Sequence, residues 1–154
     1  MPVVLRVEAG PHAGVSRPEL RRRARAMLAA VQSSDKEWSI LLTGDDQIRN
    51  LNRLYRKKDR PTDVLSFSQI EGELGERAGR LLGDVIVSVP TARRQAARAR
   101  RDLLAELTML LAHGLLHLLG WDHATAADDR RMRRETRRLC DAATAIERPA
   151  KRAR

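Results

Sequence analysis

A chain of 154 residues with a formal net charge of +10 is long enough for one domain with a modest core. It contains no run of 18 apolar residues, and we expect neither a membrane span nor a signal peptide. The single cysteine, Cys140, excludes an intrachain disulfide, which is typical of a cytoplasmic protein. The positive charge favours a polyanionic partner, although the excess of arginine over lysine is also what codon bias produces.

The first half of the chain predicts two strand–helix pairs, with strands over 3–7 and 37–43 and helices over about 17–31 and 44–55. Ser16 and Glu19 have the spacing of a capping box at the start of the first helix. Thr43, followed by Asp46, is the expected cap of the second helix. The expected inner face of that second helix consists of Ile48, Leu51, Leu54 and Tyr55.

The remaining predicted elements are strands over 64–68 and 81–89, two helices within 91–120 and a last helix over 126–146. The segment 91–120 favours helix throughout, but thirty residues is long for one globular helix, so we expect a break near 100–102. Residues 69–79 show no periodicity and predict a flexible loop, either a lid or a hairpin tip. The basic tail, 148–154, is expected to be disordered.

This order of elements implies an α+β fold with one mixed sheet of about four strands and about five helices. We expect a single domain over 1–147, with a metal site on a core helix. The second helix within 91–120 is apolar on its inner face, which includes Gly114. The missing side chain at Gly114 would allow the close approach of a strand or a ligand.

Three of the four histidines lie within residues 113–123. His113 and His117 are four residues apart, so they share one face of a helix. Gly120 is a helix stop, because glycine is favoured just past a helix end, and the bend would let His123 return toward the other two. Three imidazoles converging in this way would bind zinc and leave the fourth tetrahedral position to water, as in a catalytic site. The alternative is a set of core histidines bonded to backbone or carboxylate groups.

The spacing of these histidines is also that of the metzincin peptidases. Those enzymes carry a glutamate directly after the first histidine, where it acts as the general base. Here that position is Gly114, which has no proton acceptor. The sequence therefore disfavours a peptidase mechanism.

The stretch 113–123, HGLLHLLGWDH, resembles the signature of the YbeY family, the bacterial metal-dependent endoribonucleases of ribosomal RNA maturation. Trp121 stands where that family usually has tyrosine. Two further blocks are similar to the family pattern, LNRLYRKKDRPTDVLSF at 51–67 and LGDV at 82–85. Met132 and Glu135 also match, and the likeness spans most of residues 38–140.

The resemblance implies the same fold and a single-strand-specific, metal-dependent endoribonuclease in the cytoplasm. Its role would be ribosomal RNA processing, at the 3′ end of 16S RNA, and ribosome quality control. The implied partners are ribosomal RNA, the small subunit and assembly proteins, with no DNA and no membrane. Two alternatives stay open: a non-catalytic ribosome assembly factor with a structural metal, and a peptidase-like metal-dependent hydrolase.

The implied cofactor is one Zn²⁺ held by His113, His117 and His123, although three histidines also suit nickel or copper. The resemblance assigns to Arg56 a catalytic contact with the phosphate, which a guanidinium can bind through two hydrogen bonds. The alternative for Arg56 is an ion pair with Asp59 or Asp63.

Three more residues are candidates for the surroundings of the metal. Asp122 could orient His117 or His123, or cap the turn after Gly120. Ser66 could line the cleft, or belong only to its strand. Glu106, seven residues before the first histidine, could support the site or be a surface charge.

Overall fold

The computed structural model describes residues 2–69 and 80–145. Four strands and five helices are formed within these residues, as the sequence predicts. In chain order they are β1 (Val3–Val7), α1 (Arg17–Ala30), β2 (Glu37–Thr43), α2 (Asp45–Arg56), β3 (Val64–Ser68), β4 (Leu81–Ser88), α3 (Val89–Ala99), α4 (Leu103–Leu118) and α5 (Ala126–Ala145). None of the helices in this described part is both long enough and apolar enough to cross a membrane.

The four strands form one sheet in the order β1-β2-β4-β3. The first three strands of that order run parallel, and β3 runs antiparallel to β4 at one edge. Helices connect the parallel strands, since a parallel pair needs a crossover connection. The predicted α+β fold with one mixed sheet is confirmed.

The main core lies between one face of the sheet and the helices α1, α4 and α5. Alternate residues of the central strands point into it: Trp38, Ile40 and Leu42 of β2 are all essentially unexposed. The other face is partly covered by α2, where Ile48 packs with apolar residues of three strands. The central strands are therefore buried on both sides, and α4 is buried almost all round.

Of the two predicted helix caps, one is confirmed and the other is wrong. The Ser16 hydroxyl accepts a hydrogen bond from the Glu19 amide at 3.3 Å, so the first cap is confirmed. The predicted cap of α2 is wrong: Gly44 occupies that position without a side-chain hydrogen bond. The hydroxyl of Thr43 donates instead to the side chain of Gln47.

The predicted inner face of α2 is too wide. Ile48 is fully buried and Leu51 is half-buried, but Leu54 and Tyr55 are each 66% exposed. In the last turn of the helix, Tyr55 packs in a T-shaped arrangement against Phe67 of β3, with the ring centroids 5.5 Å apart. The prediction failed because the apolar pattern does not tell how far the covered surface reaches.

The break predicted within 91–120 is confirmed. Arg100 has a left-handed backbone (φ 56°) that ends α3, and the Asp102 carboxylate caps α4 by accepting from the Ala105 amide at 2.7 Å. The preceding strand ends at Ser88 and α3 begins at Val89, earlier than predicted. Most of the predicted loop (70–79), Ile146 and the tail 148–154 lie outside the described residues.

Candidate metal centre

Helix α4 carries two of the three clustered histidines. His113 and His117 are half-buried on the same face, and their ring centroids are 4.6 Å apart. Their Nε2 atoms are separated by 3.1 Å. The residues around His117 on α4, namely Leu115, Leu116 and Leu118, are buried in the core. Their packing fixes the direction of both histidine rings.

Gly114 sets how closely α4 approaches the sheet. A Cβ atom at this position would lie 2.7 and 2.9 Å from the methyl groups of Val85, which is closer than real contacts allow. The hydroxyl of Ser66 donates to the Gly114 carbonyl at 3.2 Å. The predicted close approach is therefore that of strands, namely β3 and β4, and it places the histidines at the edge of the sheet.

The third histidine is brought back by the end of α4. Gly120 has φ +92°, and its amide donates to the His117 carbonyl at 3.0 Å. The Trp121 amide donates to the Leu116 carbonyl at 2.9 Å, which completes a Schellman motif. After this turn, the ring of His123 lies 5.3 and 5.1 Å from the rings of the first two histidines.

The three imidazoles fit one metal ion. One nitrogen of each ring can be chosen so that all three lie within 4.8 Å of one another. Nitrogen ligands about 2.0–2.1 Å from a tetrahedral zinc are about 3.3 Å apart, so only small ring movements are needed. His123 is exposed, so the side opposite the buried ligands is open to solvent. The residues present therefore support a metal cofactor.

Electrostatics also favour the metal-binding form of these rings. The pKa of His113 is lowered to about 4, first by burial and then by repulsion from His117 and His123. The pKa of His117 is lowered as well, chiefly by burial and next by His123. Both rings are thus neutral at pH 7, with a nitrogen lone pair available for a cation.

Arg56 lies in the same cleft as His113 and His117. Its Nη2 donates to the Ser66 carbonyl at 2.7 Å, and its guanidinium carbon is 5.3 Å from the centre of the Phe67 ring. The cleft has a volume of about 480 Å³ and is lined by Arg56, Ser66, His113 and His117 among others. Asp59 pairs with Arg49 at 2.8 Å, so the contacts of Arg56 differ from the ion pair considered as its alternative.

The family model described as Endoribonuclease YbeY matches residues 11–144 of this chain. The chain belongs to the YbeY family. An Endoribonuclease YbeY of Geobacter metallireducens is 42% identical over 127 residues, which cover 81% of this chain and 85% of that protein.

Another Endoribonuclease YbeY, from Anaeromyxobacter sp. (strain Fw109-5), is 54% identical over 123 residues. The match covers 80% of this chain but 62% of that relative, so this YbeY-family chain spans about three fifths of the relative's length. The solution structure of TM1509 from Thermotoga maritima has a TM-score of 0.65 at 23% identity, covering 98% of this chain and 96% of the other. That likeness shows a shared fold.

Asp122 is exposed in this YbeY-family chain, while the Nδ1 atom of His117 lies 3.1 Å from the Trp121 carbonyl. The carboxylate beside His123 belongs to Asp129, whose Oδ1 lies 3.5 Å from the Nδ1 atom of that ring. Sequence reasoning missed Asp129, which lies in the first turn of α5. The contact depends on how the first turn of α5 packs beside the end of α4, which no local sequence pattern indicates.

The other two candidates occupy defined places. The Ser66 hydroxyl is used by the Gly114 carbonyl, although the residue does line the cleft. Glu106 is 1% exposed and accepts from the Arg101 Nε at 2.7 Å, so its interpretation as a surface charge is wrong. The sequence could not tell whether Glu106 is buried or exposed, because α4 is apolar on nearly every face.

Proposed function

We propose that this chain is a single-strand-specific endoribonuclease that uses one Zn²⁺ held by His113, His117 and His123. The observation that carries the proposal is the convergence of three imidazoles, two of which share a solvent-open cleft with an arginine. We further propose that it processes ribosomal RNA, at the 3′ end of 16S RNA, and takes part in ribosome quality control. Its place of action would be the cytoplasm, near the small subunit and its assembly proteins.

When bound, the metal would supply a water of lowered pKa and polarise a phosphoryl oxygen. The protein's part is to hold the three rings in place. His117 is oriented by the Trp121 carbonyl and His123 by the Asp129 carboxylate, which leaves one nitrogen of each ring for the ion. Three nitrogen ligands with an open position suit zinc, while nickel and copper suit the same set.

Arg56 would bind the scissile phosphate. A guanidinium has five N–H donors, and one of them already holds the Ser66 carbonyl. The remaining donors can form two parallel hydrogen bonds to a phosphate, which strengthen as negative charge develops in the transition state. The bond to Ser66 and the contact with Phe67 restrict the side chain, so little freedom remains to be lost on binding.

Single-stranded RNA fits the charge and size of the site. The net charge of +10 attracts a polyanion, and neutral ligands would leave the full charge of the ion facing the phosphodiester. A cleft of about 480 Å³ suits one nucleotide unit rather than a duplex. A peptidase mechanism would need a carboxylate at position 114, where the space for a side chain is taken by Val85.

The test is cleavage of a labelled fragment from the 3′ end of 16S RNA by the zinc-loaded protein, in single-stranded and duplex form. We expect cleavage of the single strand only, and its loss in His113→Ala. Arg56→Ala should lower kcat/KM by about 10²–10³-fold without loss of zinc. Arg53→Ala, which removes an exposed arginine one turn earlier on α2, is the matched control. Equal cleavage by wild type and His113→Ala would contradict the proposal.

A further inference from the structure

A groove between α4 and α5 begins at two of the three histidines and is not used by the proposed chemistry. It has a volume of about 630 Å³ and is lined by His113 and His123 at one end. The apolar part of its wall includes Met109 and Leu110 from α4 and Met132 from α5. An apolar groove that opens directly beside a charged site is shaped for a ligand with both apolar and anionic parts.

The polar groups along the groove are not all satisfied. Arg101 pairs with Glu106 at 2.7 Å and Arg133 pairs with Asp129 at 2.9 Å. The Thr136 hydroxyl, by contrast, is buried without a hydrogen-bond partner. A ligand that offers a hydrogen-bonding edge as well as an apolar surface would match this wall.

Exposed arginines form a row on α5 that meets the groove at Arg137. Arg130, Arg134 and Arg137 of α5 form no ion pair within the described part of the chain, although other arginines of α5 pair with acidic neighbours. With about 100° per residue, these three positions fall within about 60° of one another around the helix. Arg137 also lines the groove, so the row and the groove share an edge. We call these three residues the arginine row.

We propose that a single-stranded RNA runs from the histidines along α5, with a base in the groove and its phosphates on the arginine row. This inference rests on the proposed function and names the path of its substrate. Unpaired guanidiniums at one turn's spacing match the repeating charge of a polynucleotide backbone. The described residues of the groove wall include no Phe, Tyr or Trp, so a base would be held there by apolar contact and hydrogen bonding rather than by stacking on a large ring.

The first test measures binding of a fluorescent 2′-O-methyl RNA oligonucleotide to the zinc-loaded protein over a range of salt concentrations. Arg130, Arg134 and Arg137 are replaced together by glutamine. The control replaces Arg17, Arg25 and Arg98, which are exposed on α1 and α3, and so removes the same charge. Circular dichroism checks that both variants are folded.

The row variant should lower the slope of log affinity against log salt by about 2, because each phosphate contact to a single strand contributes about 0.7. Between 50 and 200 mM salt, the factor by which affinity falls should then be about twentyfold smaller for the row variant than for the wild type. The control variant should keep most of the wild-type slope. Equal slopes in the two variants would show diffuse attraction by net charge and overturn the inference. A row variant that binds normally but changes oligomeric state would assign the face to contacts between copies, and would also overturn it.

The second test addresses the groove. An abasic nucleotide is moved through the oligonucleotide one position at a time. One position should lower affinity by about fivefold or more, because its base no longer buries apolar surface. That effect should disappear in Ala105→Trp, which fills the groove from α4. Equal effects at every position would contradict a base in the groove. Wild-type protein that cleaves RNA while both tests fail would refute this path alone, whereas absence of cleavage would refute the proposed function.

Discussion

Two adjacent residues of α4, His113 and Gly114, point in directions about 100° apart around the helix axis and have different requirements. The ring of His113 faces the cleft, where it needs a partner for each nitrogen. The α-carbon of Gly114 faces Val85 of β4, where a methyl group has no room. A glycine in the middle of a helix costs about 0.5–1 kcal/mol relative to alanine. Here that cost is offset by the close packing of α4 on the sheet.

Gly114→Ala should therefore destabilise the protein by about 1–3 kcal/mol, although alanine is the better helix former. The added Cβ atom would lie 2.7 Å from a methyl carbon of Val85, and neither the strand nor the helix can move freely. Urea unfolding of the metal-free protein measures the loss. Val85→Ala in the same chain provides room, so the double variant should lose less than the sum of the single changes. A gain in stability for Gly114→Ala would show that the helix does not lie this close.

Asp129→Asn should weaken zinc binding by about tenfold. The carboxylate lies 3.5 Å from the Nδ1 atom of His123, where it would hold the ring and make its other nitrogen a better ligand. Competition with a zinc-binding dye measures the affinity. Asp128→Asn is the matched control, because that carboxylate binds Arg131 rather than a histidine. Unchanged affinity in Asp129→Asn would mean that His123 is held without this carboxylate.

At the scale of elements, the end of α4 matters more to the site than its middle. The helix alone brings two rings together, and the third ring depends on the Schellman turn at Gly120. An added Cβ atom there would have no atom within 4 Å, so the requirement for glycine is one of backbone conformation and not of space.

Replacement of Gly120 should follow the order of left-handed preference. Gly120→Ala should cost about 1 kcal/mol, because alanine resists φ +92°, while Gly120→Asn should cost less. Thermal unfolding of the three proteins gives the order, and zinc affinity should fall in the same order as His123 is displaced. Equal thermal stability of the wild type and the Gly120→Ala variant would contradict this account of the turn.

The elements could be predicted where local signals mark their ends. Arg100 ends α3, Asp102 begins α4 and Gly120 follows the end of α4, because backbone conformation and capping act within a few residues. Contacts across the chain could not be predicted. Leu54 is 66% exposed although it fits the apolar pattern of α2, and Glu106 is buried and paired with Arg101 although it is charged. The histidine cluster could be predicted from local signals, since one turn within eleven residues brings the three rings together. The contact of Asp129 with His123 could not, because it depends on how α5 packs beside α4.

In the whole molecule, the histidine cluster lies at the margin of the core, since His113 and His117 are half-buried and His123 is exposed. The main apolar cluster extends from β1 to α5 and includes Trp38, Leu111 and Leu115. The sheet has one antiparallel edge strand, β3, and the cleft lies where that strand meets α4. The fold therefore supports the site without depending on an ion for its own core.

Removal of the metal with a chelator should leave the helical circular dichroism unchanged and lower the melting temperature by only a few degrees. Burial of the apolar cluster accounts for most of the stability, and the side chains of that cluster do not bind the ion. The same measurements on His113→Ala provide a chelator-free comparison. Unfolding on removal of the metal would instead favour a structural metal, as in a non-catalytic assembly factor.

All three imidazoles come from one stretch of eleven residues, 113–123. Closing so short a segment around an ion loses little chain entropy, even when the remainder of the polypeptide is unfolded. An ion that also binds the denatured chain stabilises the native state by less than its native affinity alone would give. Retention of zinc by a damaged or truncated chain is therefore no sign that the sheet has formed. Refolding of this protein is better followed by the fluorescence of Trp38, which is 0% exposed, in a Trp121→Phe variant that removes the second tryptophan.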